Sequence, residues 1–169
     1  MKRLLAISSS LILATLSLSV SAANKTDDTW KRDPKNAFQG SAKFIGYKGV
    51  SYINSYSGSN GAFLGFSLVW ENKEFCGDKS ESYQRQELVY VNGKPIKFKL
   101  TCYQSTWVNY LAETQKGVRF IANKLSNRSV KTVEFAHRFT NSKDLVYLIP
   151  TAGFYDIFRK IDASATESL

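Results

Sequence analysis

Apolar and polar positions alternate most regularly between Glu87 and Leu100, where Val89 and Val91 share one face with Ile96, Phe98 and Leu100. Leu88, Tyr90, Lys97 and Lys99 fall on the other face, as a period of two requires of a half-buried strand pair. Asn92-Gly93 lies between the two runs and supplies the positive φ angles of a tight hairpin turn; Pro95 could lengthen that loop to four residues. The alternation continues to Cys102 and points its sulfur inward.

Upstream, runs of β-branched and aromatic residues predict strands over Lys43–Tyr47, Val50–Tyr56 and Ala62–Trp70, punctuated by Lys48-Gly49 and by 57–61. The polar stretch 72–84 reads as a loop. Over Thr114–Ser126 the period lengthens: Val118, Ile121, Ala122 and Leu125 recur at helical spacing, with Thr114 as N-cap and Gly117 weakening the first turn. A strand over Val130–Phe139 and another over Leu145–Ile149 form a second hairpin across 140–143. Pro150 ends it, and Thr151 is placed to cap a last helix carrying Phe154, Ile157, Phe158 and Ile161. The pattern defines an α+β chain: a mainly antiparallel β-sheet or sandwich of six to eight strands, with two short helices, one of them C-terminal.

The ends differ from this body. Lys2 and Arg3 precede an uncharged apolar run from Leu4 to Val20, and Val20-Ser21-Ala22 offers small residues for cleavage. The run is short for a membrane span and diluted by serines, so it reads as a bacterial signal peptide over 1–22, cleaved near Ala22. This predicts a periplasmic or secreted protein without stable membrane insertion. Residues 23–39 read as a flexible N-terminal arm with Trp30 and Phe38 as anchors, 40–162 as one globular β-rich domain, and 163–169 as a frayed tail.

Cys76 and Cys102 are the only two cysteines, and in an oxidising compartment they pair with each other. Two cysteines are too few for a four-cysteine zinc site or an iron–sulfur cluster, and a single histidine excludes multi-histidine metal sites. No metal or cofactor is expected. Phosphate-cradling glycine loops, nucleophile elbows and S-x-x-K motifs are all absent from the sequence. His137 could act as a general base oriented by Glu134 or Asp144, in a small hydrolase. It alternates with Phe135 and Phe139, however, which favours a core-facing structural imidazole.

Charge adds the remaining signal. The chain carries +9, and +7 once Lys2 and Arg3 leave with the leader. That surplus falls between Lys94 and Lys131, where eight cations face only Glu113. Lys97, Lys99, Arg119 and Lys124, with the rings of Tyr103, Trp107 and Tyr110, form the candidate binding set. Cations interleaved with rings suit an anionic partner. Export makes nucleic acid a less natural ligand than an acidic protein, and the leading expectation is a non-enzymatic inhibitor, immunity or secretion/adhesion accessory protein. The alternative is a binder of an anionic envelope glycan or lipopolysaccharide.

Finally, the last hairpin followed by a helix that opens with Gly153-Phe154 resembles the C-terminal pattern of bacterial invasion-associated locus B proteins. The resemblance spans Lys116 to Ile161 and rests on apolar spacing. That family's extra cysteine is absent here, and no functional residue is carried across.

The cysteine pairing generates the first prediction. Closing a loop of 26 residues stabilises the fold by about 3 kcal/mol in the chain-entropy model. Reducing the protein should therefore shift its urea midpoint downward by that equivalent, and Cys102→Ser should reproduce the loss.

Overall fold

The computed structural model describes residues 28–58, 61–80, 82–140 and 142–167; the expected signal peptide and its cleavage site lie outside them. Nine strands are described: β1 (Lys31–Arg32), β2 (Gln39–Lys43), β3 (Val50–Gly58), β4 (Gly61–Glu71), β5 (Gln84–Val91), β6 (Lys94–Tyr103), β7 (Trp107–Ala112), β8 (Thr132–His137) and β9 (Leu145–Pro150). They form one antiparallel sheet in the order β1-β2-β3-β4-β7-β6-β5-β8-β9. The sheet curls into a half-barrel, and its two ends approach where Ile45 bridges Leu148 of β9. Three helices accompany it: α1 (Lys73–Cys76), α2 (Gln115–Leu125) and α3 (Phe154–Glu167).

The central hairpin forms as the alternation requires. Val91 pairs with Lys94, so the loop is the two-residue Asn92-Gly93 turn, with φ of 45° and 78°, and Pro95 sits in the strand opposite Tyr90. Val89, Val91, Ile96, Phe98, Leu100 and Cys102 are all buried, while Leu88 and Lys97 are exposed. Cys76 and Cys102 lie with their sulfurs 2.04 Å apart, at disulfide distance, which ties α1 to β6.

Several features depart from the sequence expectation. The strand count exceeds eight through β1, a two-residue pairing inside the predicted arm, and β7, which the sequence reading left unassigned. The turn before β7 uses Gln104 and Ser105, both at φ 51°, where no Gly or Asn announces it. The strand expected over Lys43–Tyr47 lies earlier, as β2, because Gly46 takes φ 86° and turns the chain. The stapled loop contains a turn of helix, α1, whose N-cap Asn72 accepts from Phe75 N at 3.0 Å. Thr151 does not cap α3: its hydroxyl donates to Val130 O at 2.5 Å, and the helix begins at Phe154, just after Gly153 (φ 78°).

Both long helices bury apolar stripes in the sheet's core. α2 contributes Val118, Ile121, Ala122 and Leu125, and α3 contributes Phe154 and Ile161 with Ile157 partly buried. Gly40 on β2 makes room for α3, because a Cβ there would stand 2.5 Å from Ile157 Cγ2. α3 continues through Glu167, across most of the stretch read as a polar tail.

From Asp28 onward the predicted arm is docked. Trp30 is buried, its Nε1 donates to Pro150 O at 2.7 Å, and its backbone N donates to Ala152 O at 2.9 Å. Its ring meets Phe154 edge-on, centroids 4.8 Å apart. The residue therefore fastens the start of the described chain to both β9 and α3. Trp30→Ala should cost about 3–5 kcal/mol, read as a lowered midpoint in urea unfolding; a change below about 1 kcal/mol would mean that the anchor contributes little.

Candidate functional site

The basic residues are assembled by two local decisions of the sequence. The Asn92-Gly93 turn places Lys94 and Lys97 at the start of β6. Thr114 Oγ1 then accepts from Gly117 N at 3.0 Å and opens α2 beside that hairpin. Gly117 permits the close approach, since a Cβ there would lie 3.0 Å from Ile96 Cγ2. Glu113 N donates to Lys97 O at 3.1 Å and fixes the connection. The result is a cleft of about 520 Å³ between hairpin and helix, floored by Pro95, Ile96 and Phe120. Lys94, Lys97, Lys116 and Arg119 line it, and no carboxylate does.

Phe120 draws two cations to its ring. Lys94 Nζ stands 4.5 Å and Lys124 Nζ 5.5 Å from its ring centroid, within cation–π range. Arg119 reaches Asp162 of α3 at 3.4 Å, with both side chains partly solvated. Such an exposed pair is weakly held and can exchange partners. Lys94, Lys97 and Lys116 have no carboxylate within ion-pair distance among the described residues.

The predicted binding set is thus divided. Lys97 and Arg119 line the cleft and Lys124 borders its Phe120 floor. Lys99, two residues along β6, lines a separate hollow with Tyr56, Phe63 and Glu113. Tyr103 and Trp107 face each other across β6 and β7 at the far end, about 20 Å from Lys97 at strand rise. Tyr110 is a correction: it is 2% exposed, stacks on Trp70 at 5.1 Å, and offers no ring to a partner. Its hydroxyl donates to Glu87 Oε2 at 3.3 Å, and burial with that carboxylate pushes its pKa well above the usual phenol value. Even numbering along β7 puts Tyr110 on the inner face with Val108 and Ala112, a parity visible only once the strand is recognised.

Phe120 was missed by the sequence reading because it lies off the apolar stripe of α2. A signal existed nonetheless: Lys116, Phe120 and Lys124 recur at intervals of four, which stacks ring and cations on one helix face.

His137 sits inside the barrel at 1% exposure. Its Nε2 is 2.9 Å from Tyr147 Oη, it meets the edges or faces of Trp70 and Tyr110, and its Nδ1 has no protein partner. Neither Glu134 nor Asp144 hydrogen-bonds to it. Burial lowers its pKa to about 4, so the neutral imidazole is the native form. Among the described residues no group of three His, Cys, Asp or Glu side chains is placed to hold a metal ion, and no helix is long and apolar enough to cross a membrane.

Comparison with known proteins identified no matching protein-family model, curated protein or solved structure.

The imidazole generates a signed prediction. The unfolded chain binds this proton near pH 6.5 and the folded protein only near 4, so the stability supplied by the neutral form is complete above 6.5 and is lost as pH falls through that window. The full shift corresponds to about 3 kcal/mol. Unfolding free energy measured from pH 7 to 4 should fall more steeply in the wild type than in His137→Gln. Parallel profiles would contradict a buried neutral imidazole.

Proposed function

We propose that the protein is an exported, non-enzymatic binding protein that engages an acidic protein partner through the cleft between the β5–β6 hairpin and α2. The observation that carries this reading is the concentration of Lys94, Lys97, Lys116 and Arg119 around an apolar floor with no carboxylate among them. Solvated lysines scattered over a surface repel one another and serve solubility. Cations gathered around a concave floor of Pro95, Ile96 and Phe120 can also bury an apolar side chain of the partner. The charges would accelerate encounter and set orientation, while the floor would hold the complex once formed.

The buried, tyrosine-bonded His137 supports a non-catalytic reading, since it presents no base to a solvent-borne substrate. Export rests on the Lys2-Arg3 leader with its Val20-Ser21-Ala22 exit, and the Cys76–Cys102 pair accords with an oxidising destination. Periplasmic residence and release from the cell both fit these features. An anionic envelope glycan is the second reading. The concave apolar floor favours the protein partner, because a polyanion alone needs charge but no such floor.

The test compares three baits on envelope and culture-supernatant extracts: wild type, Lys94→Glu/Lys97→Glu/Lys116→Glu, and a control of identical net charge, Lys35→Glu/Lys73→Glu/Lys143→Glu. The expected outcome is an acidic protein retained by wild type and control, lost from the cleft variant, and released by moderate salt. Equal loss from both variants would reduce the effect to net charge and remove the cleft from the reading. Capture of lipopolysaccharide or glycan without protein would establish the second reading in its place.

A further inference from the structure

The outer face of the sheet carries a second hollow whose chemistry differs from that of the cleft. It has a volume of about 660 Å³, lies across β2, β3, β4, β7 and β6, and contains no charged residue in its lining. In a chain of net charge +9 that neutrality is a selective feature. Its rings are Tyr52, Tyr103 and Trp107, of which Tyr103 is 59% and Trp107 39% exposed. Tyr103 and Trp107 stand directly opposite each other on paired strands, and both border the hollow.

The polar part of the lining consists of uncharged amides and hydroxyls. Asn109 donates its Nδ2 to Thr101 Oγ1 at 3.4 Å, and Asn54 donates its Nδ2 to Tyr56 Oη at 2.8 Å. Each amide is thereby held by its nitrogen, and both Oδ1 atoms take no hydrogen bond from the protein. Both oxygens are closed off from solvent, so what the hollow offers a ligand is the uncharged polar character of its asparagine, glutamine, serine and threonine side chains rather than these two atoms. Ser67, 8% exposed, lies between them on the floor.

The geometry points to a binding site for an uncharged, hydroxyl-rich oligosaccharide. A pyranose presents a C–H face that packs on an aromatic ring and a rim of hydroxyls that both donate and accept. Rings bordering a lining of uncharged amides and hydroxyls match both halves of that chemistry. A nucleic acid or sulfated glycan needs cations that this lining lacks, and a lipid has no use for its amides. Past Tyr52, Val69 and Trp107 the hollow continues into an adjoining one of about 400 Å³, room for a chain longer than one sugar; there the lining adds Lys43 and the pair Lys48–Glu71, 3.9 Å apart.

This site is independent of the basic cleft, and the experiment separates them. Trp107 is the exposed tryptophan of three, Trp30 and Trp70 each being 4% exposed, so tryptophan emission reports on this face. Cellohexaose, laminarihexaose and chitohexaose are titrated against the mature protein by calorimetry and emission, with heparin as the charged comparison. At least one uncharged hexasaccharide should bind, shift the emission, and do so equally at low and high salt. Tyr103→Ala and Asn109→Ala should each weaken that binding about tenfold while leaving the melting temperature near wild type; Lys97→Glu should leave it unchanged. Absence of heat and emission change with all three sugars overturns the proposal, as does binding that survives Tyr103→Ala and Asn109→Ala unchanged. Salt-sensitive binding of heparin alone also overturns it, and leaves the reading of the cleft standing.

Discussion

Tyr147 holds the curled sheet together at its seam. Its ring stacks on Phe44 at 4.1 Å, across the gap between the segment after β2 and strand β9, and next to the Ile45–Leu148 bridge. Its hydroxyl meets His137 at 2.9 Å inside the barrel, and burial holds its pKa well above the usual phenol value. Through these contacts the two ends of a nine-stranded sheet share one aromatic interior, with Trp70 and Tyr110 around the imidazole and Phe135 stacked on Tyr147. An open twisted sheet of this length would leave an apolar face to solvent. Closure turns that face inward, and α2 and α3 cover what remains.

What closure leaves outside is therefore available for recognition, and it is partitioned. The turn end of the β5–β6 hairpin, joined by α2, displays cations around Phe120. The opposite end of β6 and β7 displays rings and amides without charge. One strand, β6, supplies residues to both surfaces, with Lys97 at one end and Tyr103 at the other. Charge attracts from a distance and is weakened by salt, whereas ring and amide contacts act only at close range. On the proposed readings, separating the two along one strand would let each act without interference from the other. The Cys76–Cys102 link steadies this strand at the aromatic end, where the turn to β7 contains two residues at positive φ.

The sequence disclosed what depends on local periodicity. The β5–β6 hairpin, the apolar stripes of α2 and α3, the inward sulfur of Cys102 and the core position of His137 all follow from spacing within about a dozen residues. It disclosed much less of what depends on distant partners. Trp30 looked like part of a loose arm because its partners, Pro150 and Phe154, lie some 120 residues away. β7 escaped notice because a turn built on Gln104 and Ser105 carries none of the usual turn residues. Missing that strand also misplaced Tyr110, which parity along β7 assigns to the core. For the candidate site, charge counting picks out the segment that carries the cations, but it cannot divide Lys97 and Arg119 from Tyr103 and Trp107. Linear proximity was mistaken for one surface, where a straight strand makes two.

The central claim is that the cations act as one localised cleft. The most direct measurement is a backbone amide NMR titration of the mature protein with an oligoglutamate peptide at two salt concentrations. The account predicts saturable, salt-sensitive shifts confined to Lys94–Lys97 and Lys116–Lys124, with Thr101–Asn109 unmoved. Shifts of equal size at Lys43 or Lys143 would show a diffuse positive surface and contradict it.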